Sequence, residues 1–279
     1  MPSKMSISEI ENLGYYDFMA YLNVPFFNIG GNPSLDLLAE RCNLGPDSHV
    51  LDVGCGTGEN SVHISEKYGC RITGIDISEL MIEKARERVE EKGMHDRLDF
   101  HVGDAYKLDF EDAKFDSVLT VFVSQFLDLG KAYPEFYRVI KPGGYLGVNE
   151  MFRADDVPSE VVDKVDEGET IFRELTGLPF RLRSPSEWEN GLKNANFTEV
   201  DVEPFTHYVD AVRGMEMVEE MGGWTHLASI LWEFVLLGLR SGKIRKKYGD
   251  ISKGKRVLIN DKVTSKYIGY VLGIGKKSV

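Results

Sequence analysis

The run Val50-Leu51-Asp52-Val53-Gly54-Cys55-Gly56-Thr57-Gly58, followed by Gly74-Ile75-Asp76, has the residue types and spacing of a ligand-binding turn. Glycine lacks Cβ, so a turn built on Gly54, Gly56 and Gly58 bends sharply and lets a ligand lie against its amides. The apolar residues before it read as a strand, Glu59 to Tyr68 after it as a helix, and a second strand then ends in Asp76. At the carboxyl end of a parallel strand, Asp76 is placed to face ribose hydroxyls in the crevice where open sheets bind ligands. Glu59 bears on which ligand that is. A dinucleotide fingerprint, G-x-G-x-x-G, has glycine where this chain has Glu59, and a carboxylate at a helix start repels a pyrophosphate. The cationic sulfonium S-adenosylmethionine brings no phosphate there, so the turn is expected to bind it and not NAD.

Further landmarks follow in order. Leu98 to Ala105 reads as a third strand whose acidic end, Asp104, is placed to bond an adenine amino group. Phe115 to Phe122 is almost continuously apolar, as in a strand buried on both faces. Phe136 to Gly144 closes a helix with a Pro-Gly turn before the apolar strand Tyr145 to Val148. Taken together, the motifs D-V-G-C-G-T-G, G-I-D-I-S, G-D-A and I-K-P-G-G make residues 34–150 resemble the class I S-adenosylmethionine-dependent methyltransferases. The resemblance implies an α/β fold, a doubly wound, Rossmann-like seven-stranded sheet with its last strand antiparallel. It also implies cofactor contacts at Asp52, Gly54, Gly56, Asp76, Ile77, Asp104, Ala105 and Val121.

Beyond the alternating pattern, Ser78 is the expected cap for a helix over Glu79 to Lys92. Ser184-Pro185-Ser186-Glu187-Trp188 starts another helix, Thr198 to Thr206 alternates as a strand, and Tyr267 to Gly275 reads as the last one. Three segments have no place in the sheet: residues 1–33, 153–183 and 209–262. The chain is therefore drawn as an N-terminal cap segment, 1–33, and a methyltransferase domain, 34–279, whose insertions at 153–183 and 209–262 form a helical lid.

The N-terminal segment carries a second resemblance. Tyr15 to Tyr21, Phe26 to Gly31, and Ile64 to Gly69 are similar to the phosphoethanolamine methyltransferases and related small-molecule enzymes. That resemblance implies that Tyr16 or Tyr21 lies near the methionyl part of the cofactor and that Gly30-Gly31 lets backbone approach it. The match departs after the fourth strand, where those enzymes carry a histidine and this chain has Ser124-Gln125-Phe126. Methyl transfer needs alignment above all, and a base only when the acceptor carries a proton. Tyr21, Gln125 and Glu150 are the catalytic candidates, with Arg153, His207 and His226 as further groups near the expected mouth or lid. An amine or hydroxyl acceptor comes first, a quinone-like or lipid acceptor second, and a non-catalytic cofactor-binding protein is the reading from another class.

Composition narrows the partners. A net charge of −12 argues against a general nucleic-acid binder, leaving a small-molecule acceptor. Three widely spaced cysteines, Cys42, Cys55 and Cys70, fit neither a disulfide framework nor a metal site, and suggest a reducing cytoplasm. No metal is expected. Leu227 to Leu239 is apolar at helical spacing but too short to span a bilayer, and Lys243, Arg245, Lys246, Lys247, Lys253, Lys255 and Arg256 follow it against a single Asp250. Such a run is ordinarily a solvated face; the lesser reading is peripheral contact with an anionic lipid surface.

Overall fold

In the computed structural model, residues 5–24, 30–206, 215, 218–219, 222–255, 257–258 and 261–279 are described. His207 and residues 25–29 lie outside them. The sheet comprises β1 (His49–Val53), β2 (Arg71–Asp76), β3 (Leu98–Val102), β4 (Phe115–Val121), β5 (Ile140–Arg153), β6 (Thr198–Thr206) and β7 (Ile268–Lys276). Its order is β3-β2-β1-β4-β5-β7-β6, with β7 antiparallel to both neighbours, as expected.

Alternation along each strand sends side chains into two cores. Val50 and Ile72 pack with α3 (Gly31–Arg41), α4 (Glu59–Tyr68) and α5 (Glu79–Lys92). Leu51, Val53 and Ile75 pack on the other face with α6 (Leu129–Val139) and α8 (Pro185–Asn194). Local signals set the helix ends. Gly58 and Gly69, both left-handed, bracket α4; the Ser78 hydroxyl accepts from the Met81 amide to start α5; Ser184 and Glu187 form a capping box on α8.

The strand boundaries differ from the sequence reading most at β3 and β5. β3 stops at Val102 rather than Ala105, because the Asp104 carboxylate accepts from the Tyr106 amide and turns the chain away from the ladder. β5 starts at Ile140 and carries the Pro-Gly stretch inside it as an irregularity, with Gly143 at φ +81°. Outside the sheet, α1 (Ile7–Asn12) and α2 (Tyr15–Tyr21) bury Ile10, Phe18 and Leu22 against Leu237 of α9 (Gly223–Arg240) and Ile244 of α10 (Gly242–Lys255). Helix α7 (Ser159–Thr176) buries Val161 and Val165 against Phe180, Leu182 and Leu258.

Candidate functional site

Strand order reverses direction between β1 and β4, and such a switch point opens a crevice at the carboxyl ends of the strands. The glycine turn sits there. Gly54 has φ +73°, and a Cβ on it would come within 2.4 Å of Val123 Cγ2, so this position closes the turn against the segment after β4. Gly56 has φ +54° and differs in what it faces: a Cβ there meets no atom within 4 Å. The one glycine is needed for packing, and the other presents bare backbone to open space.

Asp76 fixes that backbone. One carboxylate oxygen accepts from the Gly56 amide at 3.0 Å and the other from the Ser78 amide at 2.9 Å. Burial raises its pKa, and nearby Asp17 raises it further, against the pull of those amides. The next residue, Ile77, is 74% exposed, a large apolar side chain on the rim. Since Asp76 pairs with Val102 across the β2–β3 ladder, Ile77 lies beside the segment carrying the exposed Asp104 and half-buried Ala105. Val121 is buried at the end of β4.

Asp52 is placed differently from these. It is buried, and its carboxylate accepts from the Ser61 hydroxyl at 2.5 Å, tying β1 to α4; burial raises its pKa to about 6. Gly30 is packed tightly, with a Cβ there falling 2.5 Å from Ser34 Cβ and 2.7 Å from Tyr270 Cζ. Glu59 is ion-paired with Arg88, which also donates to the Thr57 carbonyl. Its charge is thus balanced locally, which weakens its repulsion of a pyrophosphate below that expected of an unpaired carboxylate. The negative character of the turn comes instead from Asp52, Asp76 and Asp17.

Glu150 is the unusual group of the site. It lies fully buried in β5, one residue past the Asn149 that pairs with Val121. Its Oε1 accepts from the Ser124 amide at 2.8 Å and the Val123 amide at 3.2 Å, while Oε2 has no hydrogen-bond partner among the described residues. Burial pushes its pKa up to about 7 despite those amides. Gln125 is also buried, its side-chain carbonyl accepting from the Met151 amide and its backbone carbonyl from the Arg181 amide, so its oxygen atoms hold loop to strand.

The two candidate tyrosines are separated. Tyr16 is close enough to Asp76 and Glu150 for both carboxylates to raise its pKa, after the larger effect of burial. Tyr21 instead faces α9, where Glu233 raises its pKa and Arg240 lowers it, again after burial. His226 bonds the Asn23 carbonyl, and Arg153 pairs with Asp166 at 3.5 Å; neither is brought to Glu150 by these bonds.

Other neighbours were not singled out from the sequence. The Tyr16 ring meets Phe126 edge-on at 5.8 Å, Phe126 meets Phe180 at 5.2 Å, and Phe180 stacks on Phe172 of α7 at 5.0 Å. Behind this row Arg183, held over Trp188, donates to the carbonyls of Ser124 and Leu127 and so braces the turn that presents its amides to Glu150. These residues come from separate segments, and neither spacing nor motif announces them.

Residues 50–144 match the family model described as a methyltransferase domain. Among curated proteins, the chain is 32% identical over 137 residues to methyltransferase GfsG of Streptomyces halstedii, covering 48% of this chain and 49% of that one. It is also 32% identical over 168 residues to a sterol 24-C-methyltransferase of Candida albicans, covering 57% and 42%. The chain thus spans less than half the length of these two relatives. A solved structure of phosphoethanolamine N-methyltransferase 2 from Haemonchus contortus, in complex with S-adenosyl-L-methionine, shares the fold at a TM-score of 0.66 and 21% identity, covering 100% of this chain and 59% of that one.

Proposed function

We propose that this chain, which carries a methyltransferase domain match and resembles curated methyltransferases, is a class I S-adenosylmethionine-dependent methyltransferase that transfers the cofactor's methyl group to a small-molecule amine or hydroxyl at the carboxyl ends of β1, β2, β4 and β5. The observation that carries this reading is the pair formed by Asp76 and Gly56. A carboxylate fixed on the amide of a glycine that faces open space suits a ribose lying against bare backbone. Ile77, Asp104 and Ala105 would hold the adenine, and Gly54, Gly56 and Val121 would line the remainder of the cofactor. Asp52 and Gly30 would act one step back, shaping the turn and the start of α3. When bound, the cofactor supplies an electrophilic methyl group on a sulfonium, and the acidic surroundings of Asp76 favour that cation over a pyrophosphate.

The chain's own part is to orient the acceptor and hold its proton. Glu150, with one oxygen fixed by two amides and the other without a partner among the described residues, is the base in this reading; a pKa near 7 leaves it able to accept a proton at neutral pH. Tyr16, near enough to Asp76 and Glu150 to feel both charges, would face the acceptor, whereas Tyr21 belongs to the packing of the helical cap. Gln125 positions the loop beneath Glu150. A second reading, methylation at carbon of an apolar acceptor, is favoured by the aromatic row from Tyr16 to Phe172, and one of the relatives is named as a sterol 24-C-methyltransferase. We place the chain in a reducing compartment such as the cytoplasm, where Cys42, Cys55 and Cys70 stay as thiols; among the described residues no helix is long and apolar enough to cross a membrane.

Incubation with methyl-labelled cofactor and a fractionated metabolite extract tests the reading. Label is expected in a small amine or alcohol; label in apolar carbon compounds would favour the second reading, and no transfer to any fraction would remove both. Asp76→Ala should weaken binding of S-adenosylhomocysteine on the order of 1.5–3 kcal/mol, the loss of charge-assisted hydrogen bonds. Unchanged affinity by calorimetry would take the ribose away from this carboxylate. In the same reading α1, α2, α7, α9 and α10 form the lid, so S-adenosylhomocysteine should slow amide exchange over residues 15–21. Equal exchange with and without it would make that segment a fixed part of the scaffold.

A further inference from the structure

The helix α9 (Gly223–Arg240) is apolar on two sides. Ile230 and Leu237 are buried, Leu237 in the cluster that holds Ile10 of α1 and Phe18 of α2. On the other side Trp224, Leu231, Trp232, Val235 and Leu239 are 69%, 49%, 64%, 51% and 77% exposed. At about 100° per residue these five fall within an arc of roughly 100°, forming one continuous stripe along the helix. An exposed stripe with two tryptophans needs something to cover it.

Charge at one end says what. Arg240, Lys243, Arg245 and Lys246 are all exposed and follow directly on the stripe, in a chain whose net charge is −12. Lys243 lies 3.8 Å from Glu11, a long contact at an exposed site, which leaves its charge largely available. Glu219, just before the helix, lies at the opposite end from these cations. Tryptophan favours the boundary between water and lipid, where its ring is in apolar surroundings and its N–H stays wet. A second copy of the chain is a poorer fit. The stripe is about 22 Å long and roughly 10 Å wide, so it offers about 220 Å² where a stable interface takes roughly 800 Å² per partner.

We propose that this face of α9, with the basic start of α10, docks on the surface of an anionic lipid bilayer. The stripe lies in the interface parallel to the membrane plane, and the lysines and arginines reach the headgroups. This docking depends on the outer face of the helix and does not rest on the identity of the methyl acceptor.

The full chain mixed with vesicles of phosphatidylcholine containing phosphatidylglycerol tests it, with pure phosphatidylcholine vesicles as the comparison. Binding by co-sedimentation should be at least about tenfold tighter to the anionic vesicles and weaken as salt rises. Tryptophan emission should shift to the blue, since two of the three tryptophans lie on the stripe. Trp232→Glu with Leu239→Glu should lose both signals, and Arg245→Glu with Lys246→Glu should lose the preference for anionic lipid. All four residues are exposed, so thermal unfolding should be unchanged and serves as the control for folding. No emission shift and no co-sedimentation with anionic vesicles would overturn the proposal. So would a dimer in sedimentation velocity without lipid that Trp232→Glu dissociates, because the stripe would then be covered by a second copy.

Discussion

Replacement of Gly56 by valine is expected to abolish binding of S-adenosylhomocysteine while leaving the protein folded. The native residue has φ +54°, and its missing Cβ points into open space rather than into the core. A branched side chain there collides with no protein atom at its Cβ but occupies the ligand's side of the turn. The left-handed dihedral adds a strain of order 1–3 kcal/mol, which a domain of this size tolerates. Gly54→Val is the informative contrast: its Cβ would lie 2.4 Å from Val123, so that variant should lose stability as well. Calorimetric titration with thermal unfolding on both proteins separates the cases. If Gly56→Val binds the ligand normally, the cofactor does not lie on this turn.

Glu150→Gln should lower turnover by about 10²–10⁴-fold, the usual contribution of a positioned base. Glutamine keeps an oxygen for the Val123 and Ser124 amides, so the loop geometry is retained while the basic oxygen is removed. In the unaltered protein, turnover should rise with pH through about 7 as Glu150 loses its proton, and the variant should lack that rise. Stability should move the other way. The folded protein holds the Glu150 proton up to about 7, whereas the unfolded chain releases it near the ordinary carboxyl value. Between those two pH values the folded state binds more protons, so this residue's contribution to stability falls as pH rises. Glu150→Gln should flatten that slope. A variant with unaltered turnover and pH profile would remove Glu150 from the chemistry.

Much of the scaffold was legible because its signals are local. Gly58 and Gly69 mark both ends of α4, Ser78 starts α5, and Ser184-Pro185 starts α8; each is a short-range device whose geometry follows from one or two residues. Asp76 closes β2 with Ile77 directly after it, as the strand pattern predicts, whereas Asp104 lies in the turn beyond the end of β3. What could not be read depends on contacts between distant segments. Arg88 neutralises Glu59 from a different helix, and no spacing rule announces that pairing. Tyr16 and Tyr21 share a helix, yet only the packing of α2 against α5 and α9 sends one toward Glu150 and the other toward Glu233. The same holds for Phe126, Phe172 and Phe180, which meet only because α7 folds back over the end of β4. Glu150 stood out in the sequence as an acid after an apolar strand; its two amide donors come from the turn at Val123 and Ser124, which Arg183 holds in place.

Calorimetric titration with S-adenosylhomocysteine and with NAD tests most directly whether the crevice lined by Gly56 and Asp76 holds S-adenosylmethionine and not a dinucleotide. One equivalent of S-adenosylhomocysteine should bind with measurable heat, and NAD should give none at the same concentrations. Tight binding of NAD with no heat from S-adenosylhomocysteine would contradict the account.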